Sequence, residues 1–220
     1  MKTVAAIMFA LGIAAPLSAQ TRSQPPRPST TSNYPALSPR AFAEFSQQQF
    51  AAKDTFAAIF GDSTGSFKGG GGELVFGRRI FVEVSASRFD ATGERVFRSE
   101  NTNIPLGIPL TAKVTPVEVI GGLRFPVWVH LIPYAGIGFG SFKYEETSKF
   151  NTDDENVSVR KSGLVLIGGV EYRLGRWIGV SADAHFSRVN GIIGSGGISQ
   201  EFGEDNLGGI AARFRVIVGR

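Results

Sequence analysis

Cysteine is absent from this sequence. That excludes a disulfide framework, a thiolate metal site and an N-terminal lipid-modified cysteine. Histidine occurs only at His130 and His185, so no cluster has metal-ligand spacing. Asp153-Asp154-Glu155 lacks the spacing of a calcium loop and reads as a solvated acidic loop. Gly136, Gly138 and Gly140 alternate along a candidate strand with no helix after them, which is not a dinucleotide fingerprint. Neither a metal nor a cofactor is expected. The net charge is only +4, and the basic residues are scattered rather than gathered in a stripe with aromatics, which argues against nucleic acid. Beyond the first residues, no apolar run approaches the roughly 18 positions a membrane helix needs. If the rest of the chain enters a membrane, it does so as a barrel.

Glycine (28) and phenylalanine (18) are abundant, and this composition points to an all-β protein with tight curvature. Residues 1–19 read as an export signal: Lys2, an apolar run from Val4 to Ala15, Pro16, then Leu17-Ser18-Ala19 with cleavage after Ala19. Residues 20–40, rich in Pro, Ser and Thr, read as a linker. Residues 41–220 read as one barrel domain.

The clearest pattern runs from Leu164 to Phe186. Leu164, Leu166, Gly168, Val170, Tyr172 and Leu174 fall on one face, and Ile167, Gly169, Glu171 and Arg173 on the other. After Gly175-Arg176-Trp177, the residues Ile178, Val180, Ala182, Ala184 and Phe186 alternate with Gly179, Ser181, Asp183, His185 and Ser187. Period two across a tight turn predicts a β-hairpin. Similar alternation predicts eight strands, at about 41–51, 66–76, 80–90, 110–125, 129–144, 159–174, 177–189 and 207–219. Three connections are tight, at Gly77-Arg78-Arg79, Pro126-Val127-Trp128 and Gly175-Arg176. The others, around 52–65, 91–109, 145–158 and 190–206, read as long polar or Gly-rich loops. Short turns at one rim and long loops at the other predict an eight-stranded antiparallel up-and-down transmembrane barrel.

Each strand has one apolar face and one face of charges among small residues. With the apolar face outward, the lumen receives Glu73, Glu83, Glu118, Glu171 and Asp183 opposite Arg124, Arg173, Arg213 and Arg215. Nearly balanced charge is what a closed interior requires. A one-residue slip would put these groups into lipid, at roughly 2–4 kcal/mol for each Arg at mid-bilayer. Phe76, Phe125, Trp128, Tyr172 and Trp177 form an aromatic belt beside the short turns, and Phe142, Tyr144 and Phe186 a second set near the long loops. The opposite assignment, a soluble lipocalin-like barrel with an apolar interior, explains the same alternation.

The strands carrying Pro133-Tyr134-Ala135-Gly136-Ile137-Gly138, Gly168-Gly169-Val170-Glu171-Tyr172-Arg173 and Ala211 to Val218 resemble the small outer-membrane β-barrel proteins of Gram-negative bacteria, of the outer-membrane-protein-A transmembrane type. The last aromatic is Phe214, where that family commonly ends in an aromatic. The resemblance implies a monomer in the outer membrane, surrounded by its lipid and lipopolysaccharide. It implies a structural or interaction role, with surface loops whose partner the sequence does not name. A narrow pore for small solutes is a second reading, though eight strands leave an interior that side chains fill. A third is enzymatic: His185-Phe186-Ser187 resembles the His-x-Ser pair of the lipid A deacylases, with Asn190 or Glu201 as a further member. The alternation points His185 and Ser187 inward, away from a lipid substrate, so no enzyme is expected. Lys53 to Phe60, with Asp54 or Thr55 as N-cap, reads as a short helix, either on the membrane surface or, preferably, a lid on the barrel mouth.

Overall fold

The computed structural model describes residues 36–99, 102–148, 157–194 and 197–220. The expected signal segment, most of the linker and Asp153-Asp154-Glu155 lie outside the described residues. The order of elements is β1 (Leu37–Phe50), α1 (Lys53–Phe60), β2 (Thr64–Phe76), β3 (Ile80–Ser99), β4 (Thr102–Arg124), β5 (Leu131–Ser148), β6 (Val157–Arg173), β7 (Ile178–Arg188), α2 (Gly197–Glu201) and β8 (Gly209–Gly219). Every strand pairs antiparallel with its neighbours in sequence, and β1 closes on β8 with Phe45 opposite Phe214. The result is a closed eight-stranded up-and-down barrel.

Closure removes both sheet edges, so strand backbone groups find partners within the ring. At the short-turn rim, Gly77 (φ 54°) and Arg78 (φ 70°) both take positive φ, and the Arg79 N–H donates to the Phe76 carbonyl at 3.2 Å. Two consecutive positive φ values within this three-residue connection give the tight reversal that paired strands need. The connection from β4 to β5 is longer than Pro126-Val127-Trp128, spanning 125–130.

At the other rim the strands outrun the sequence reading. β3 continues nine residues past Asp90, and β4 begins eight before Leu110. The stretch read as a loop at 91–109 is therefore mostly a paired hairpin. β5 likewise runs on to Ser148. Apolar alternation marks only the part of a strand that lies between two unlike environments. Beyond Asp90, Gly93, Pro105, Gly107 and Pro109 read as strand breakers, although Ile104, Leu106, Ile108 and Leu110 alternate along β4 and the pairing continues. Register shifts between Glu94 and Val96, opposite Gly107 (φ 67°), a bulge that redirects side chains beside it.

β1 begins at Leu37 rather than Ala41, which brings Arg40 into the barrel. α1 forms over the expected residues, but neither Asp54 nor Thr55 caps it. Ala52 is the N-cap and makes no side-chain capping bond. The Glu204 carboxylate, from the connection between α2 and β8, accepts the N–H groups of Asp54 (3.1 Å) and Thr55 (2.8 Å) and the Thr55 hydroxyl (2.6 Å). It satisfies free N–H groups of the first turn from outside the helix. The helix ends at Gly61 in the left-handed conformation (φ 78°). Asp62 then accepts the Thr64 hydroxyl at 2.8 Å and its N–H at 3.1 Å, which hold its carboxyl below the usual carboxylate range.

Small residues let the lumen close. A Cβ on Gly138 would meet the Ile120 side chain and the Val119 carbonyl, whereas one on Gly168, on the outer wall, would meet nothing within 4 Å. Gly138→Ala is expected to destabilise the barrel by about 1–3 kcal/mol through overpacking, and Gly168→Ala to change it by no more than about 0.5 kcal/mol. Urea unfolding of the two variants, followed by tryptophan fluorescence, reads the difference.

Candidate functional site

Inward side chains fill the barrel in layers. Nearest the short turns, Arg40 bridges two carboxylates, with Nη2 2.6 Å from Glu73 and Nη1 2.8 Å from Glu171. Arg124 donates to the other Glu171 oxygen. Arg173 lies at the edge of this group rather than within it. Its side chain is 23% exposed, its Nε is 4.0 Å from Glu171, and its Nη2 donates to the Arg176 carbonyl. The last residue of β6 lies at the mouth, where water supplies what the lumen does not.

In the next layer Arg215 donates from Nη1 to Glu83 at 2.7 Å and from Nη2 to the Tyr134 hydroxyl at 2.6 Å. The Tyr134 hydroxyl in turn donates a hydrogen bond to Asp183 at 2.6 Å. Arg213 donates to Asp183 at 2.9 Å and to Glu44 at 3.3 Å. Higher still, His185 Nε2 lies 3.0 Å from Glu118. Arg40, Glu44 and Tyr134 complete the network and were not counted in it from sequence. Residues 40, 42 and 44 share the inward phase of β1; Glu44 already lay within the strand expected at 41–51, and a start at Leu37 adds Arg40.

The two candidate catalytic side chains on β7, His185 and Ser187, are buried in the lumen, and the Ser187 hydroxyl has no hydrogen-bond partner among the described residues. Glu201 is exposed on α2, and His185 pairs with Glu118 instead. This geometry orients no base toward Ser187 from the outer surface.

On the outer wall the apolar face is continuous. Val119 is 51% exposed, Phe139 69% and Ile210 62%. Phe76, Phe125, Trp128, Tyr172 and Trp177 all stand exposed at the short-turn rim. The second aromatic set divides. Phe186 faces out, but Phe142 and Tyr144 are buried in the lumen, because both share the inward phase of Gly138 and Gly140. Charges bound the apolar wall on the long-strand side. Lys68, Arg88, Lys113, Lys143, Arg160 and Arg188 follow the outward phase of β2 to β7. Lys68 lies directly opposite Arg88, and Lys143 opposite Arg160. Asp90 and Glu145 partly offset them, each 2.7 Å from a cation on its own strand.

Above the charged layers the lumen turns aromatic. Phe56 of α1 inserts into the mouth and stacks on Phe50, with ring centroids 3.8 Å apart. Phe67 and Phe89 complete the plug. α1 therefore sits as a lid on the barrel. Beside it lies a cleft of about 450 Å³, framed by α1, the outer hairpin of β3 and β4, and the connection from β7 to β8. The voids beside the charged layers hold only about 20 and 10 Å³.

A closed eight-stranded barrel with an apolar exterior, aromatics at one rim and a packed ionic lumen is the class this geometry defines. No protein-family model matches the chain, and no curated protein sequence matches it. Among solved structures it is similar to Ail, the attachment invasion locus protein of Yersinia pestis (13% identity, 83% of this chain and 96% of that one, TM-score 0.49). It is similar also to the N-terminal β-barrel domain of OprF from Pseudomonas aeruginosa (13%, 82% and 97%, 0.45) and to the outer membrane protein OprG of the same organism (14%, 83% and 92%, 0.43). At such identities neither ligand nor activity passes from them to this chain.

The paired charges make a sharp contrast between two neighbouring residues. Glu171→Gln leaves Arg40 and Arg124 buried without their shared carboxylate and is expected to cost about 3–5 kcal/mol. Arg173→Gln, at the wet mouth, is expected to cost under about 1 kcal/mol. Equilibrium unfolding in urea from lipid vesicles measures both.

Proposed function

We propose that the protein is a monomeric outer-membrane barrel of a Gram-negative envelope, with a structural or interaction role and a lumen closed to solutes. The observation that carries this reading is the outer wall. Large apolar side chains stand exposed on every strand in one continuous band, which water does not favour over so large an area. β7 and β8 are 11 residues each, within the ~9–11 that a tilted strand needs to cross the hydrocarbon. The aromatic rim and the cationic ring bound that band as two interfaces do. Directly opposed cations repel one another, and the phosphate groups of outer-leaflet lipopolysaccharide would relieve Lys68 facing Arg88 and Lys143 facing Arg160. The ionic layers and the aromatic plug support a sealed lumen. The outer extension of β3 and β4 would present the surface for a partner.

Three measurements test this. The refolded protein is expected to shift its SDS-gel mobility on boiling, as a closed barrel in detergent does. In planar bilayers it is expected to give no steady single-channel current; a defined conductance would favour the pore. Val119→Arg is expected to cost about 2–4 kcal/mol in vesicles. A soluble barrel would carry that substitution on a wet surface at almost no cost, and would fold without detergent.

A further inference from the structure

The outer cleft differs in character from the lumen beneath it. Phe60, Leu106, Leu110, Ile192 and Ile198 line it with apolar surface, and the Gly107 bulge lies directly beside Leu106. A volume of about 450 Å³ falls within the roughly 300–1,000 Å³ of small-molecule sites. The aromatic plug closes it off from the ionic layers, so it is a pocket rather than the mouth of a channel.

Two charged side chains line this apolar surface, Arg95 and Glu146. Glu146 already accepts the Tyr144 hydroxyl at 2.9 Å. Arg95, half-buried at the register shift of β3, has no hydrogen-bond or ion-pair partner among the described residues. A cation with no partner beside an apolar pocket specifies a ligand with an apolar body and an acidic end. Guanidinium pairs carboxylate through two parallel hydrogen bonds. Glu146 on the same lining disfavours a dianionic head such as phosphate. The volume suits one alkyl chain, not a multi-chain lipid.

We propose that this cleft binds a free fatty acid, its chain along the apolar lining and its carboxylate on Arg95. The site would serve capture or sensing at the outer face, since the plug below it blocks passage through the barrel.

The test uses the full mature chain refolded into phosphatidylcholine vesicles, with palmitic acid carrying a diazirine in its chain as probe. After illumination, labelled peptides are mapped by mass spectrometry. The expected result is saturable labelling at residues 53–60, 95–97, 106–110 and 192–194, displaced by unlabelled palmitic acid and much less by hexadecanol. Labelling of wall residues such as Val119 and Phe139 should not be displaced and serves as the background. Arg95→Gln and, separately, Leu106→Trp are each expected to lower the displaceable labelling at least fivefold, while the heat-dependent gel shift stays. If Leu106→Trp fails to fold, the Arg95→Gln and hexadecanol comparisons decide. Labelling confined to the wall, displacement by hexadecanol equal to that by the acid, or undiminished labelling in a folded Arg95→Gln protein would each overturn the proposal.

Discussion

The structure depends on the pairing of charges inside a ring too narrow to hold free water around them. Arg40, Arg213 and Arg215 share Glu44, Glu73, Glu83, Glu171 and Asp183 at distances of 2.6 to 3.5 Å where both partners are almost fully buried, and Arg124 joins them at Glu171. The pairs join strands far apart in the ring: Arg40 on β1 reaches Glu171 on β6, and Arg215 on β8 reaches Glu83 on β3. Desolvation makes such groups costly, and their mutual attraction does little more than offset that cost. Their larger effect is on specificity. A register shift in any one strand would separate partners across the barrel and turn charge outward at the same time. The network therefore selects one closed arrangement out of several that backbone hydrogen bonding alone would accept.

That constraint explains which parts of the fold were legible in the sequence. The alternation of Glu171, Asp183, Arg213 and Arg215 with Val170, Ala182, Ala212 and Phe214 gave strand number, phase and closure, because each residue must choose between lumen and wall. Legibility stopped in the hairpin beyond Asp90, where Pro105, Gly107 and Pro109 interrupt β4 as loop residues do, so that the alternation of Ile104, Leu106, Ile108 and Leu110 did not read as a strand. Arg40 was missed for a related reason: Ser38 and Pro39 look like the end of a linker, and the strand's polar start hid a cation that joins two carboxylates. Phe142 and Tyr144 were read as interfacial from residue type alone, although their phase already placed them inside.

The lid shows a different limit. α1 is eight residues long, below the length at which a helix holds itself together in water. Its stability comes from Phe56 inserted among Phe50, Phe67 and Phe89, and from Glu204 at its first turn. Nothing within residues 53–60 announces a carboxylate arriving from 150 positions away. The helix was visible as a local pattern, but its role became visible only once the barrel had brought its two partners to the same mouth.

Seal and cleft follow from one another. A barrel this narrow can be closed by charge below and by aromatic rings above, but each closure uses side chains that point into the ring. Where β3 and β4 rise past the ring, inward residues no longer face an opposite wall. Leu110, Tyr144 and Val96 must then be covered by α1, α2 and their neighbours, and the cover leaves about 450 Å³ unfilled. An apolar void of that size is a poor use of the residues around it if stability were their only task, since unfilled volume forfeits dispersion contacts. Ile192 and Ile193 are buried on a Gly-rich connection that could turn without them. The same chain packs its ionic layers to within 10–20 Å³. A fold that closes its centre so tightly and leaves its outer end open to one apolar chain has separated two tasks along a single axis, holding its shape below and receiving a ligand above.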